Sequence, residues 1–267
     1  MTTKKLTIDL NSDIGEKPSA LADGTEESLI RLITSANVAC GGHAGDEHSM
    51  DAIVKLAKRY SVNIGAHPSF PDRQNFGRTE MTLTFDEIKQ AVFEQVRALS
   101  TVAKKNRARI THVKPHGALY NMAAKNFKIA HAIAAGVEKL DKSLILMGLS
   151  GSAMLTVWED LGFKVAAEGF ADRRYESDGS LRSRKFSDAL ISDPSEAARQ
   201  AARIASHGVV IAHDGSEVRI SAATLCIHSD TPNSLQIASA VRQELERLGV
   251  EVKPLDRTHL ISPTGHR

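Results

Sequence analysis

The sequence alternates short apolar runs with longer amphipathic runs along almost its whole length. Eight short runs have the length and composition of β-strands: Leu6–Leu10, Ala36–Ala39, Val62–Ala66, Ile110–Val113, Leu144–Met147, Val165–Ala167, Val209–Ala212 and Leu225–Ile227. Strands that alternate with helices predict parallel strands joined by crossover helices. Seven or eight such units indicate a closed or nearly closed barrel, and a doubly wound open sheet is the alternative.

The amphipathic runs between these strands have helical spacing. The clearest are Asp51–Arg59, Phe85–Lys104, Pro194–Ser206 and Ser234–Leu248. Thr84, with Glu87 three residues later, has the pattern of a capping box, and Asp193 before Pro194 predicts a second helix start. Because no linker, low-complexity segment or fixed-period repeat interrupts the pattern, we expect residues 1–267 to form one α/β domain.

Composition excludes several classes of partner. Apolar residues make up 42% of the chain and charged residues 25%, which is the balance of a soluble globular protein. The formal net charge is +2 and no basic block of five or more residues occurs, so nucleic acid is not the expected partner. No apolar run is long enough for a signal peptide or a membrane span, so no membrane association is expected. Two cysteines, Cys40 and Cys226, suit a reducing compartment, and we expect a cytoplasmic protein.

Polar residues with glycine or proline follow nearly every predicted strand. The segments are DLNSDIGE (9–16), ACGGHAGDEH (39–48), GAHPSFPD (65–72), HVKPHGALYN (112–121), AEGFADRRY (167–175), AHDG (212–215) and CIHSD (226–230). The carboxyl ends of parallel strands face one side of the sheet, and sites form there. We therefore expect these side chains, although far apart in sequence, to gather at one mouth.

Eight of the eleven histidines form two groups by this criterion. Four follow predicted strands and are candidate site residues: His43, His67, His116 and His228. Four others lie in helical or terminal segments and are expected on the surface: His131, His207, His259 and His266.

The residue types at the predicted mouth suit hydrolysis of an amide-type bond. Carboxylates and imidazoles can activate water, and Lys114 can stabilise negative charge on oxygen. No Walker-type phosphate loop, dinucleotide fingerprint, H-E-x-x-H or C-x-x-C motif is present. A metal bound by Asp13, His43 and His67 from separate strands remains an open alternative, because spacing cannot test it.

Some of these residues also have ordinary structural interpretations. Asp46 has the position of a helix N-cap, and Cys40 that of a small packing residue. The polar segment 170–192 carries five cations: Arg173, Arg174, Arg182, Arg184 and Lys185. It is either a solvated loop or a lid whose arginines hold an anionic group.

The motifs together resemble a known family. Seven segments are similar to motifs of the LamB/YcsF family of 5-oxoprolinase subunits. They are DLNSDIGE (9–16), SANVACGGHAGD (35–46), IGAHPSFPD (64–72), FGR (76–78), HVKPHGALYN (112–121), FADRRY (170–175) and TLCIHSDTP (224–232). The similarity covers nearly the whole chain. Ser12, Thr79 and Ser229 depart from the family pattern, which usually has Cys, Arg and Gly there.

The resemblance implies a (β/α) barrel of the glycoside hydrolase/deacetylase type with seven strands. It implies hydrolysis of 5-oxo-L-proline to L-glutamate, with ATP as co-substrate converted to ADP and phosphate, and with 5-oxoprolinase subunits B and C as partners. Because the chain lacks a phosphate loop, ATP must be held in another way or by a partner. Self-association into a homo-oligomer stays open.

We therefore expect one pocket with two sets of residues. The candidate catalytic residues are Asp13, His43, His67, Lys114 and His116. The candidate substrate-binding residues are Asn11, Glu16, Asp46, Glu168, Asp172, Arg173, Tyr175, Arg184, His228 and Asp230. Two other functions stay open: a metal-dependent deacetylase acting on a sugar or an amide, and a subunit that binds substrate without catalysing its reaction.

Overall fold

A computed structural model describes residues 6–256 of this chain and contains ten strands in that range. They are β1 (Thr7–Ile14), β2 (Ser35–Ala39), β3 (Asn63–His67), β4 (Ile110–Val113), β5 (Ile145–Leu149), β6 (Val165–Phe170), β7 (Val209–Ile211), β8 (Glu217–Arg219), β9 (Thr224–Cys226) and β10 (Glu251–Val252). β1 to β6 pair in sequence order, all parallel, and β9 pairs with both β6 and β1. The sheet thus closes on itself, which confirms the predicted seven-stranded (β/α) barrel and excludes an open sheet.

Nine helices connect or flank the strands of the described segment. They are α1 (Pro18–Ala22), α2 (Thr25–Ile30), α3 (Glu47–Arg59), α4 (Phe85–Lys105), α5 (Gly117–Ala123), α6 (Phe127–Glu138), α7 (Ala153–Asp160), α8 (Pro194–His207) and α9 (Ser234–Arg247). The predicted capping box is present, because the amide of Thr84 donates to Glu87 Oε2 at 2.7 Å and Thr84 Oγ1 accepts from the Glu87 amide. Asp193 accepts from the Glu196 amide and Pro194 is the first residue of α8, also as predicted.

The prediction of a barrel strand at Val209–Ala212 is wrong. This run forms β7, which pairs antiparallel with β8 in a separate two-stranded sheet. The intervening Asp214–Gly215 pair reverses the chain, with Gly215 at φ +87°, and such pairs favour hairpins. The AHDG segment therefore does not follow a barrel strand, and His213 pairs with Glu176 at 2.7 Å.

Polar side chains fill much of the barrel interior. In β1, Leu10 and Ile14 pack in the hydrophobic core, whereas Asn11 and Asp13 bond to residues of other strands. Alternation of inward and outward residues is the rule for barrel strands. The predicted strand Leu6–Leu10 is therefore too short, since the strand continues through inward polar residues that pair with one another.

No helix within residues 6–256 is both long enough and apolar enough to cross a membrane.

Candidate active site

Lys114 lies at the centre of a buried charged group at the carboxyl end of β4. Its Nζ is 2.8 Å from Glu168 Oε1, 3.0 Å from Asp13 Oδ1 and 3.2 Å from Asn11 Oδ1, and its side chain is 3% exposed. Burial alone lowers the pKa of Lys114, but the neighbouring acidic groups, first Asp13, outweigh it and hold this pKa well above its usual value. The pKa of Asp13, which burial alone would raise, is held well below its usual value by the charges of His67 and Lys114. This part of the site is therefore a buried ammonium group paired with carboxylates. The pairing offsets the free-energy cost of burying these charges.

Glu16 and three histidines form a second buried group, which we call the His–Glu cluster (Glu16, His43, His67 and His116). Each member lies at or just after the end of one of the strands β1 to β4. Glu16 Oε1 is 3.0 Å from His43 Nε2 and 3.3 Å from His116 Nδ1, and His116 Nδ1 is 2.9 Å from His67 Nε2. One ligand atom from each of the four residues lies within 4.8 Å of the others. The convergence expected for these strand ends is present.

Backbone carbonyl groups fix the orientation of two of these rings. His67 Nδ1 is 2.7 Å from the Lys114 carbonyl oxygen, and His116 Nε2 is 2.9 Å from that of Phe76. A carbonyl only accepts, so both nitrogens carry hydrogen. The remaining nitrogens, His67 Nε2 and His116 Nδ1, face each other at 2.9 Å, and in neutral rings each holds a lone pair. Either a proton or a cation must lie between them, because two facing lone pairs repel.

The His–Glu cluster could bind a divalent metal. Burial lowers the pKa of His43, and burial with the charges of His67 and His43 lowers that of His116 well below its usual value. Their rings are therefore neutral near pH 7, the form that binds metal. Tetrahedral zinc with bonds of about 2.0–2.2 Å places its ligand atoms about 3.3–3.6 Å apart. The three separations from Glu16 Oε1 to the histidine nitrogens and the one between His67 and His116 run from 2.9 Å to 3.8 Å and bracket that distance, and all four ligand atoms lie within 4.8 Å of one another.

This ligand group differs from the predicted one of Asp13, His43 and His67. Asp13 Oδ1 already bonds to Lys114 and to Asn37 Nδ2, and Asp13 Oδ2 is 3.4 Å from His67 Nε2. The four atoms that converge instead come from Glu16 and the three histidines, so Asp13 lies beside the cluster. Strand spacing could not reveal this, since it depends on which way each side chain turns inside the barrel.

The remaining predicted histidine is held by a carboxylate. Asp172 accepts from the His228 amide at 2.9 Å, from His228 Nδ1 at 3.0 Å and from Thr231 Oγ1 at 2.6 Å. Ligand atoms of Asp13, Cys226 and His228 lie within 4.8 Å of one another. Asp172 therefore holds His228 in place beside the Lys114–Asp13 pair.

Only part of the predicted arginine lid reaches the mouth. Arg184 pairs with Asp230, as does Arg78 from the loop after β3. Arg173 is buried, and burial together with the charge of Arg184 lowers its pKa. Arg174 pairs with Glu196 instead, and Arg182 with Glu176 and Asp188. The segment is thus a partly self-paired loop that contributes two arginines to the site.

Two predicted site residues have other roles in the structure. Asp46 is exposed and caps α3, where Oδ1 accepts from the Ser49 amide at 2.8 Å. Tyr175 is fully buried, and its hydroxyl accepts from the Phe170 amide at 2.7 Å. Neither contacts Lys114 or the His–Glu cluster through a hydrogen bond, so Asp46 acts as a capping residue and Tyr175 supports the end of β6.

The residues expected outside the site also have clear positions where they are described. His131 and His207 are exposed, as predicted, whereas His259 and His266 lie outside the described residues. Burial raises the pKa of Cys40 to about 12, which agrees with a packing role. Ser12, one of the departures from the family pattern, donates its hydroxyl to the Ile227 carbonyl at 2.6 Å.

Sequence reasoning missed several residues that hold the site together. Asn37 donates to both Asn11 and Asp13, and accepts from His112, whose pKa burial lowers to about 3. His112 and Asn37 are fully buried and bond to each other from two strands, so a strict period of two along β2 and β4 would have identified them. Glu26 carries no comparable signal in the sequence.

Glu26, in α2, supports the turn that carries Glu16. Its Oε1 accepts from the Gly15 amide at 2.7 Å, and the side chain is almost completely buried. Its Oε2 has no hydrogen-bond partner among the described residues. Burial, with a smaller contribution from Glu16, raises the pKa of Glu26 to about 7.

Replacing Glu26 with glutamine is expected to stabilise the protein at alkaline pH. Because the pKa of Glu26 is raised from 4.5 to about 7 on folding, folding takes up a proton in this interval and stability falls as pH rises through it. Glu26→Gln removes this loss, so its unfolding free energy should exceed the wild-type value by about 3 kcal/mol near pH 8 and not below about pH 4. Urea unfolding at both pH values measures this.

Glu27 provides the matched control for that measurement. Hydrogen bonds from Tyr60 and Arg31 lower the pKa of Glu27, which is the opposite direction. Glu27→Gln should therefore lose stability relative to the wild type as pH rises, not gain it. Equal behaviour of the two variants would show that the buried carboxyl of Glu26 does not cause the effect.

The fold and the mouth together define a (β/α)-barrel protein with a buried charged site at the carboxyl ends of its strands, the position at which such barrels carry active sites. The sequence profile of the LamB/YcsF family matches residues 8–260. The chain belongs to the LamB/YcsF family.

Several relatives support this assignment over more than nine-tenths of the chain. The 5-oxoprolinase A subunit from Staphylococcus carnosus is 48% identical over 250 residues, covering 94% of this chain and 99% of the relative. The corresponding subunit from Methylococcus capsulatus is 47% identical and covers 93% of this chain and 96% of the relative. The crystal structure of a lactam utilization protein from Thermus thermophilus superposes with a TM-score of 0.87 at 42% identity, covering 94% of this chain and 100% of that one.

Proposed function

We propose that this chain is the A subunit of a cytoplasmic, ATP-dependent 5-oxoprolinase that hydrolyses 5-oxo-L-proline to L-glutamate. Two partner proteins, subunits B and C, complete the enzyme. The names of the relatives support the substrate. The observation that carries the proposal is the meeting of the Lys114–Asp13 pair and the His–Glu cluster at one mouth, which supplies charge stabilisation and proton transfer together.

ATP makes chemical sense for this reaction because a five-membered lactam is a stable amide. Transfer of a phosphoryl group from ATP to the lactam oxygen leaves ADP and activates C5. Attack of one water on C5 then breaks the C–N bond, the nitrogen takes a proton, and an acyl phosphate results. A second water hydrolyses the acyl phosphate to L-glutamate and phosphate. A partner protein is the proposed source of the ATP site, because the chain has no phosphate loop.

The residues of this chain would bind and orient the reactants and transfer protons. Asp13, kept ionised between Lys114 and His67, orients a water molecule or the N–H of the lactam ring. Lys114 stabilises developing negative charge through its own charge, because Asp13, Glu168 and Asn11 already lie within hydrogen-bond distance of its Nζ. His228, fixed by Asp172 through Nδ1, has Nε2 available to exchange a proton.

A divalent metal fits the His–Glu cluster, where Glu16, His43, His67 and His116 would hold it. When bound, such a metal acts as a Lewis acid that polarises a carbonyl or lowers the pKa of water. His43 Nδ1 is buried without a hydrogen-bond partner among the described residues, so this ring depends on its Nε2 contact.

Glutamate formation tests the proposed function directly. The purified chain, its two partners, 5-oxo-L-proline and ATP are combined, and glutamate and ADP are measured. We expect both products in equal amounts with all three proteins and none when this chain is left out. Absence of glutamate from the complete mixture would overturn the proposal.

The His–Glu cluster also favours a second candidate, a metal-dependent deacetylase acting on a sugar or an amide. Deacetylation needs no ATP and no partner protein. Release of acetate from an N-acetylated sugar by the metal-loaded chain alone, with no glutamate formed in the complete mixture, would favour this candidate. A purely substrate-binding role would instead leave turnover unchanged in an Asp13→Asn variant.

A further inference from the structure

Arginines from two loops meet at the edge of the mouth around a single carboxylate. Arg78 follows β3, Arg184 lies between β6 and α8, and Asp230 follows β9. Asp230 accepts from Arg184 Nη1 at 3.0 Å and Nη2 at 3.3 Å, and from Arg78 Nη2 at 2.5 Å. The single negative charge of Asp230 thus pairs with two positive charges. We call Arg78, Arg173 and Arg184 the arginine group, and its positive charge exceeds the negative charge of Asp230.

Arg173 increases that excess. Its side chain is buried, its Nη2 donates to the Arg182 carbonyl, and its Nε has no hydrogen-bond partner among residues 6–256. The adjacent Asp172 does not bond to it, because the Asp172 oxygens accept from His228 and Thr231. Burial and the charge of Arg184 lower the pKa of Arg173 to about 10, so it stays protonated at neutral pH. A buried cation with an unmade hydrogen bond beside a like charge is costly unless an anion joins it.

The arginine group borders the reactive groups on two sides. The guanidinium carbon of Arg78 lies 4.9 Å from the centroid of the Phe76 ring. The centroid of that ring lies 5.3 Å from the centroid of the His43 ring and 5.5 Å from that of the His116 ring, both in the His–Glu cluster. On the other side, His228 precedes Asp230 by two residues, and one of its ring nitrogens lies within 4.8 Å of a carboxylate oxygen of Asp13. An anion held by these arginines would therefore lie next to both parts of the site.

We propose that Arg78, Arg173 and Arg184 form a subsite for the carboxylate of a small lactam acid, and that Asp230 holds the arginines in place until the substrate enters. This inference rests on the proposed function. Guanidinium groups match carboxylates in paired hydrogen bonds. In 5-oxoproline the carboxylate and the lactam carbonyl lie on the two sides of the ring nitrogen. Binding the carboxylate at the rim would thus place the carbonyl toward Lys114 and the His–Glu cluster.

Two variants that break the same ion pair separate this role from a structural one. Arg184→Gln and Asp230→Asn both remove the Arg184–Asp230 bridge, so a purely structural bridge predicts equal effects. As a subsite, Arg184→Gln should weaken 5-oxoproline binding by about 10–100-fold, whereas Asp230→Asn should strengthen it, because a competing internal anion is lost. Arg174→Gln, which removes a surface pair with Glu196, is the control expected to behave as wild type.

Binding is measured by calorimetry with 5-oxo-L-proline and with 2-pyrrolidinone, the same lactam without the carboxylate, and KM is measured with the two partners present. The expected result is that Arg184→Gln changes binding and KM for 5-oxoproline but leaves 2-pyrrolidinone binding and the KM for ATP unchanged. Equal weakening in both bridge variants, or a raised KM for ATP alone, would overturn the subsite. Wild-type protein that binds 5-oxoproline more tightly than 2-pyrrolidinone but forms no glutamate would keep the subsite and reject the proposed function.

Discussion

Replacing Lys114 with methionine should lower the unfolding free energy by about 3–5 kcal/mol, the cost of breaking a buried ion pair. Methionine keeps most of the volume of lysine but removes the charge that faces Asp13 and Glu168. Two carboxylates then remain buried without their cation. We also expect glutamate formation to fall by about 10²–10³-fold, the typical loss when a fixed stabilising group of an active site is removed. Chemical unfolding and the complete turnover assay measure the two effects.

Two further variants show whether the buried charge causes these losses. Lys55→Met removes an exposed lysine whose i,i+4 pair with Asp51 is at the surface, and should change stability by less than about 1 kcal/mol. Lys114→Met combined with Glu168→Gln should recover part of the lost stability, because one unpaired carboxylate is removed. A double variant no more stable than Lys114→Met would contradict the ion-pair explanation, and wild-type turnover by Lys114→Met would contradict the catalytic one.

Loss of one imidazole from the His–Glu cluster should strongly weaken metal binding. We expect the wild-type chain to retain about one equivalent of a divalent metal such as zinc after dialysis, as a site with four protein ligands does. His116→Ala removes one of the four converging atoms, and should weaken metal binding by more than the 10–100-fold typical of outer-sphere changes. Elemental analysis and competition with a chelator measure this without reference to activity.

The control for that experiment is His48→Ala, which changes an exposed histidine five residues from His43. Its metal content should equal that of the wild type. Retention should also decline as the solution is acidified, because the imidazoles bind metal only when neutral. A wild-type chain that binds no divalent metal at neutral pH, or a His116→Ala variant that retains it, would reject the metal site while leaving the lactam reaction to be tested by turnover.

The pattern of the sequence was sufficient for a parallel α/β fold and for the gathering of the candidate site residues at one mouth, whereas the choice of a closed barrel over an open sheet needed the family resemblance. Apolar runs that alternate with helical runs carry the order of strands and helices, and local signals such as Thr84 with Glu87 mark helix starts. Parallel strands all present their carboxyl ends on one side, so His43, His67, Lys114 and His116 could be assigned to one mouth from their positions in the chain. The exception was Val209–Ala212, where an Asp–Gly turn makes a hairpin that strand composition alone cannot distinguish from a barrel strand.

Only the tertiary structure decided which atoms meet at that mouth. It separated Asp13, which pairs with Lys114, from Glu16, which joins the three histidines, and it brought Arg78 to Asp230 across 152 residues of sequence. It also assigned Asp46 to a helix cap and revealed Glu26 beneath the turn of Glu16. The physical reason is that periodicity records which face of a strand a residue occupies. Which partner its side chain reaches depends on barrel closure, register and burial, and these are properties of the whole chain.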